Sequence, residues 1–380
     1  MKPLVISIGT DRKLLEEGSA VARRIATYGF AAEEIHIVVC ALRSYGKDRV
    51  RIAPNVWVYP TYSLSRWLYV YDAFRIARRI ARERKHALPA LVTVQDPFEC
   101  GLAGLLVHRS TGLPLEVQVH TDPTFFQRKS LLSLMRSVIA HFVFAHARCV
   151  RVVCEFLKDT VEKKFRVSGE KIHVLPVYID TEVVRGAPPD REFRKQLGWS
   201  HVIVCVARLM PEKNVKQAIE VLSLVCATYP DAGLVVVGSG KEEGALKRLV
   251  QKRGLVSRVV FLGWHAQPVS IVKVSDVFLQ TSHVEGYGMA LVEAGLAGTP
   301  VVTVPVGIAY ELTHEKDAYV CAHGDTSACA HAIMTLFERP EIREEMVAHM
   351  RQTLSQKILS KDAYIQTLGE CWSAVVTATQ

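Results

Sequence analysis

Three features of the sequence predict two α/β domains of the doubly wound kind. The chain has 380 residues, more than one hydrophobic core ordinarily organises. Short apolar runs alternate with stretches of helical spacing, the pattern of a mostly parallel sheet with crossover helices. The halves also differ in charge: residues 1–185 hold 28 Lys and Arg against 18 Asp and Glu, whereas the remainder holds 19 against 20.

The first half starts with a buried parallel strand, Leu4 to Ile8, followed by a charged loop to Gly18-Ser19. Ala20 to Tyr28 has helical spacing and stops at Gly29, and Ile35 to Cys40 is the next strand. Ser65 to His86 interleaves Trp67, Tyr71, Phe74 and Ile80 with Arg75, Arg78, Arg79, Arg82 and Arg84, which reads as an amphipathic basic helix. A solvated face is the simpler account of it, and contact with a membrane or an acidic partner the second. Leu91 to Val94 delivers Asp96 to its carboxyl end, the side on which open α/β sheets bind ligands. Asp96 suits either an acceptor-side carboxylate or the cap of a helix from about Glu99.

Leu115 to Val119 delivers His120-Thr121-Asp122 in the same way. Phe125, Phe126, Arg128, Lys129, Leu131, Leu132, Leu134, Met135 and Arg136 follow; they suit an acceptor lip or an interfacial membrane helix, and core packing beneath a snorkelling basic face is the more economical reading. Val150 to Cys154 and Val174 to Pro176 complete about six strands, making residues 1–185 one doubly wound domain. Gly186-Ala187-Pro188-Pro189-Asp190 has the composition of a hinge.

The second domain, 186–361, opens with the strand Val202 to Val206 and the loop Ala207-Arg208-Leu209-Met210-Pro211-Glu212-Lys213-Asn214. Arg208 and Lys213 at the end of a strand, beside a helix starting near Val215, suit a diphosphate: one grips as a fork, the other is a point charge. Leu234 to Val237 leads to Gly238-Ser239-Gly240, a weak dinucleotide signal on its own, and Val259 to Leu262 leads to Gly263-Trp264-His265.

Val277 to Gln280 is the next strand. It runs into a loop with Glu285, Gly286, Tyr287 and Gly288, then a helix from about Met289 that carries Glu293 and stops at Gly298-Thr299-Pro300. The first turn of that helix leaves backbone N–H groups of Met289 and Ala290 at the positive end of the macrodipole, which suits a phosphate. Glu285 lies just before this point and Glu293 roughly 6 Å further along the axis. Two hydroxyl-seeking carboxylates around a phosphate-seeking helix end match a sugar joined through a diphosphate to a ribose. A solvated loop Glu beside an ordinary helix-face Glu is the alternative. A final helix from about Ala363 to Thr377 falls in a C-terminal segment, 362–380.

Several classes are disfavoured. Nine cysteines, scattered and without C-x-x-C, suggest reduced thiols in a cytoplasmic setting. No His/Cys cluster has metal-ligand spacing, so no metal or other cofactor is expected. The longest apolar runs are broken well short of a bilayer span, and the first residues are a short strand rather than a leader.

Glu285 and Glu293, seven residues apart within HVEGYGMALVEAGLAGTPVV, resemble the E-x7-E signature of retaining glycosyltransferases of the GT-B fold, family 4. Most of the chain can be laid against that family. ARLMPEKN resembles its R-x4-K loop, VHTD its histidine after a strand, and PVYIDT its linker.

The resemblance implies two Rossmann-like domains facing across a cleft, with a C-terminal helix crossing back to the first. It also implies transfer of a hexosyl unit from a nucleotide-diphosphate sugar, with retention, to a glycan or lipid-linked acceptor. In that reading His120, Arg208, Lys213 and Glu285 are the catalytic set. Gly18, Gly238, Trp264, Gly286, Tyr287, Gly288, Met289, Ala290 and Glu293 bind donor, and Asp96 lies on the acceptor side. Peripheral contact with the inner face of a membrane through the basic half is a further expectation; nucleic acid is not an expected partner. The rivals are a GT-B sugar-nucleotide epimerase and a non-enzymatic basic-surface binder.

Overall fold

A computed structural model describes residues 2–84, 89–124 and 131–377. The chain divides into two compact units, Met1–Tyr178 with Leu359–Gln380, and Ile179–Ile358. The division precedes 185 because the short helix Thr181–Gly186 packs within the second unit, against helix Met289–Ala297.

The first unit is built on β1 (Leu4–Gly9), β2 (Glu34–Val39), β3 (Val50–Ala53), β4 (Val56–Pro60), β5 (Ala90–Val94), β6 (Leu115–Val119), β7 (Cys149–Val152) and β8 (Ile172–Val174). They form one sheet in the order β3-β4-β2-β1-β5-β6-β7-β8, parallel except for the β3–β4 hairpin. Strands β1 and β5 are buried along their whole length, as continuous apolar runs in a parallel sheet should be. The hairpin is an addition to the predicted strands. It sits at the sheet edge, where β4 alternates inward Val56, Val58 and Pro60 with half-exposed Trp57 and Tyr59.

Its helices are α1 (Ala20–Tyr28), α2 (Tyr69–Arg84), α3 (Glu99–Thr111), α4 (Leu131–His146) and α5 (Glu155–Phe165). Ser19 caps α1, its Oγ accepting from the Ala22 N–H at 3.1 Å. The basic stretch becomes α2, which buries Ala73, Ala77, Ile80 and Ala81; the end expected at His86 lies outside the described residues. So do Phe125, Phe126, Arg128 and Lys129. On α4 the expectation of core packing fails: Leu134, Met135, Val138 and Phe142 are exposed, while Ala140, Val143 and Phe144 are buried. A helix apolar on nearly every side can bury only one of them against its sheet.

The second unit holds β9 (His201–Val206), β10 (Ala232–Val237), β11 (Val259–Gly263), β12 (Val277–Gln280), β13 (Val301–Thr303) and β14 (Tyr319–Val320). The sheet order is β11-β10-β9-β12-β13-β14, every pair parallel. Its helices are α6 (Thr181–Gly186), α7 (Arg191–Leu197), α8 (Val215–Thr228), α9 (Glu243–Lys252), α10 (Pro268–Val272), α11 (Met289–Ala297), α12 (Thr326–Glu338) and α13 (Pro340–Lys357). Leu222 and Val225 of α8 and Ile333 and Leu336 of α12 pack with Ile203, Leu234 and Leu279 of the strands to make its core.

The last helix, α14 (Lys361–Thr377), belongs to the first unit. Tyr364, Leu368, Trp372 and Val375 recur at helical spacing, and all are buried with Val5, Leu91 and Cys149 in that unit's core.

In each sheet the chain winds outwards in both directions from its first strand. The strand order therefore reverses between β1 and β5 in the first unit, and between β9 and β12 in the second. Such switch points leave a crevice at the carboxyl ends of the strands, where ligands bind.

Candidate active site

In the second unit the switch point brings together the loops that follow β9 and β12. Register pairs Ile203 with Val277 and Val204 with Phe278, so both strands deliver their loops to the same edge. Thr281 Oγ1 donates to the Asn214 carbonyl at 2.9 Å, and the His283 N–H donates to the Glu212 carbonyl at 2.8 Å. The two loops are stitched into one surface.

On that surface Lys213 Nζ lies 2.7 Å from Glu285 Oε2, both side chains 14% exposed. Ser282 Oγ donates to the other carboxylate oxygen at 2.8 Å, and Gln280 Nε2 approaches it at 3.4 Å. Thr303 Oγ1 in turn donates to Gln280 Oε1 at 3.2 Å. Three donors thus fix the Glu285 carboxylate, and the salt bridge is sheltered enough to be felt. Arg208 stands on the same loop as Lys213 but is exposed, its guanidinium 3.5 Å from Glu212. So open a pair contributes little stability, which leaves the guanidinium available for an anion.

The glycines of Gly238-Ser239-Gly240 shape this loop. Gly238 has φ +134°, and a Cβ there would lie 2.0 Å from the Ala207 carbonyl oxygen; one at Gly240 would lie 2.2 Å from that of Leu209. The Ala207 and Leu209 N–H groups donate to Val237 and Ser239 at 3.0 Å each. Gly238 therefore lets the Arg208 segment close against the end of β10. Trp264, after β11, is 69% exposed, so it is no part of the core.

Helix α11 starts at Met289, with Gly288 as its N-cap in the left-handed region at φ +93° and no capping side chain. It ends at Gly298, also left-handed, whose N–H returns to the Ala294 and Gly295 carbonyls. Gly286, Tyr287 and Gly288 are buried, while Met289, Ala290 and Glu293 are half-buried. Gly307 braces the loop: the Ile308 N–H donates to the Tyr287 carbonyl at 2.8 Å, and a Cβ on Gly307 would come within 2.5 Å of that oxygen.

The first unit carries His120, Asp96 and Gly18. Asp96 takes the capping role: its Oδ1 accepts from the Phe98 N–H at 2.8 Å and the Cys100 N–H at 3.3 Å. Burial pushes its carboxyl above the usual range. Gly18 is exposed, with φ +69° in the turn before α1.

His120 follows β6. Its Nε2 lies 2.8 Å from Gln118 Oε1, and Gln118 Nε2 donates to Thr93 Oγ1 at 2.7 Å. Thr93 Oγ1 donates to Glu116 Oε2; Arg151 Nε reaches Glu116 Oε1 at 3.2 Å, and Trp372 Nε1 of α14 donates to Glu116 Oε2 at 3.2 Å. Thr93, Glu116, Gln118, Arg151 and Trp372 are all buried. His120 keeps an open face, yet dense surrounding protein and then the positive charges of Arg151 and Arg24 push its pKa below the ordinary imidazole value. The open face tempers the depression; its direction is set by the surroundings.

Sequence reasoning singled out His120 without its supports. Their signal is Glu116-Val117-Gln118-Val119-His120, polar residues at every second position of a strand. Among the described residues no three His, Cys, Asp or Glu side chains gather as a metal site.

Both units have counterparts among known proteins. Residues 189–353 match the model for glycosyl transferases group 1, and residues 20–183 match that for glycosyltransferase family 4. HepE of Anabaena, solved with UDP-glucose, superposes with TM-score 0.79 at 18% identity, covering 98% of this chain and 99% of that one. Sucrose-phosphate synthase from Thermosynechococcus elongatus superposes with TM-score 0.81 at 16% identity, covering 99% and 100%. The fold is GT-B, two Rossmann-like α/β units.

With both halves matched, the chain belongs to the GT-B glycosyltransferases of group 1 and family 4. Among curated relatives, N-acetyl-alpha-D-glucosaminyl L-malate synthase of Bacillus anthracis is 27% identical over 45% of this chain and 47% of its own. The 2-deoxystreptamine glucosyltransferase of Streptomyces kanamyceticus is 25% identical over 63% and 65%. The chain spans about half the length of the first curated relatives it matches.

Proposed function

We propose that the protein transfers a hexosyl unit from a nucleotide-diphosphate sugar to an acceptor hydroxyl, with retention of configuration, in glycan or glycolipid biosynthesis. The observation that carries this reading is the Lys213–Glu285 pair, 2.7 Å apart at the switch point and beside the glycine-capped start of α11. Arg208, Lys213 and the helix end take up charge on the departing diphosphate. Glu285 accepts from the hexose hydroxyls, near the Met289 and Ala290 N–H groups, and Glu293 accepts from the ribose. Gly286, Tyr287 and Gly288 line the approach, Trp264 offers a ring to the base, and Gly238 acts by shaping the Arg208 loop. His120 is assigned the contact with the transferred sugar, and Gly18 the family position near the diphosphate. The donor charge is met by two cations and a helix end, so we propose that transfer proceeds without a metal.

The relatives support the substrate class. HepE has been solved with UDP-glucose, and a mannosyltransferase of Corynebacterium glutamicum named as GDP-mannose-dependent is 30% identical over 46% of this chain. A cytoplasmic setting is supported by nine cysteines, all free thiols. Peripheral membrane contact is supported by exposed Trp67, Leu134, Met135, Val138 and Phe142 in an arginine-rich unit. Among the described residues no helix is long and apolar enough to cross a membrane.

A screen of UDP-, GDP- and ADP-sugars for hydrolysis or transfer tests the reading. Turnover with at least one donor is expected, abolished in Arg208→Ala, while Glu293→Ala chiefly weakens nucleotide binding. Full activity in Arg208→Ala with an accepted donor sinks the mechanism, and turnover without an acceptor that interconverts the sugar nucleotide points to the epimerase.

A further inference from the structure

The buried groups beneath His120 form a chain whose hydrogen-bond polarity can be worked out from its deep end. Glu116 is fully buried and faces Arg151, a side chain that does not lose its proton, and the Trp372 indole, which can only donate. Glu116 is therefore the acceptor of this cluster. The Thr93 hydroxyl, bonded to the same carboxylate, must spend its one proton on it. Its oxygen is left to accept, so the Gln118 group 2.7 Å away is the amide NH2. That orientation turns the Gln118 carbonyl towards His120, and a carbonyl 2.8 Å from Nε2 requires Nε2 to carry the ring proton.

We infer that Gln118 and Thr93, grounded on the Glu116–Arg151–Trp372 cluster, are positioning residues that hold His120 as its Nε2–H tautomer. Nδ1 is then the bare nitrogen, able to accept but not to donate. Resting on the assignment of His120 to the transferred sugar, the consequence is that this imidazole receives a hydrogen bond from a sugar hydroxyl. A donor with hydrogen in place of that hydroxyl leaves Nδ1 unsatisfied. Nothing at the surface would reveal this choice. It is made by a carboxylate two strand positions before Gln118, and by a tryptophan from α14.

The test is nitrogen NMR of the full-length protein labelled at histidine, combined with steady-state kinetics. In the wild type the His120 ring should show Nε2 protonated and Nδ1 bare at neutral pH. Thr93→Val keeps the shape but frees the Gln118 amide to flip, so both tautomers should appear and kcat/KM should fall about tenfold, the scale of one hydrogen bond. Thr93→Ser should restore the single tautomer and the rate. If Thr93→Val fails to fold, Gln118→Met, which leaves the Glu116 cluster paired, carries the same expectation.

A wild-type ring protonated at Nδ1, or an unchanged tautomer ratio in both variants, overturns the inference. Full turnover in His120→Ala would instead overturn the sugar-contact reading, with the tautomer result still standing.

Discussion

The two units secure their candidate side chains in opposite ways. In the second, Lys213 and Glu285 hold each other directly across two neighbouring loops, close to water and near the end of the sheet. In the first, His120 hangs at the end of a polar stripe that runs through strands β5, β6 and β7 to a buried ion pair and the indole of α14. The direct pair can exchange its partners for a ligand's phosphates or hydroxyls. The stripe cannot, since its groups are sealed from solvent and each is committed to the next. One arrangement suits a charge that changes during a reaction, and the other suits a group that must keep its orientation.

The sharpest way to break this contrast is to remove one cation from each pair. Arg151→Met leaves a buried carboxylate uncompensated and should cost about 3–5 kcal/mol of stability, read as a fall in the urea midpoint. Lys213→Met, at a pair that keeps some contact with water, should cost less, about 1–3 kcal/mol by the same measurement, while removing turnover. Equal midpoint shifts would abolish the distinction between the units.

A smaller effect is expected where backbone geometry supports the Arg208 loop. Gly238→Ala places a methyl against the Ala207 carbonyl in a conformation alanine rarely adopts, a strain of roughly 1–3 kcal/mol. The predicted signature is a lowered melting temperature and a raised KM for donor, because the loop must move away from β10.

The smallest effect is a dependence on pH. Burial lowers the pKa of His120, His36 and His201, so between the native and ordinary imidazole values the unfolded chain binds more protons. Stability should be at its full value above about pH 6.5 and decline as pH falls below it, the first unit bearing most of the loss. From about pH 7 to about pH 6 each group contributes under roughly 1 kcal/mol. A melting temperature that rises on acidification would contradict the sign.

Much of the second site was legible in the sequence because its residues are consecutive. The motif from Glu285 to Glu293 carries its own loop, glycine cap and helix, and the Arg208–Lys213 loop follows directly from a strand. The support of His120 was not legible, because Thr93, Glu116, Arg151 and Trp372 become neighbours only when three strands take their register and α14 is in place. Exposed α4 was misjudged for a related reason. An apolar helix shows in sequence that it can be buried, not how many of its sides find a partner. The hairpin Val50–Pro60 is less legible: β4 alternates over only five residues, and its Trp57 and Tyr59 rings lie outward with Arg51 and Arg49 over them.

The position of α14 has a consequence for biosynthesis. During translation the ribosome completes all of residues 179–358 before the helix bearing Trp372 emerges. The first unit must wait in that interval with the Glu116 carboxylate short of one donor and the binding strip for Tyr364, Leu368 and Val375 open to water. The second unit, continuous in sequence, has no such delay and can close as it is made. The nascent chain therefore passes through a stage at which the later-encoded unit has all of its residues while the earlier one still lacks its last helix.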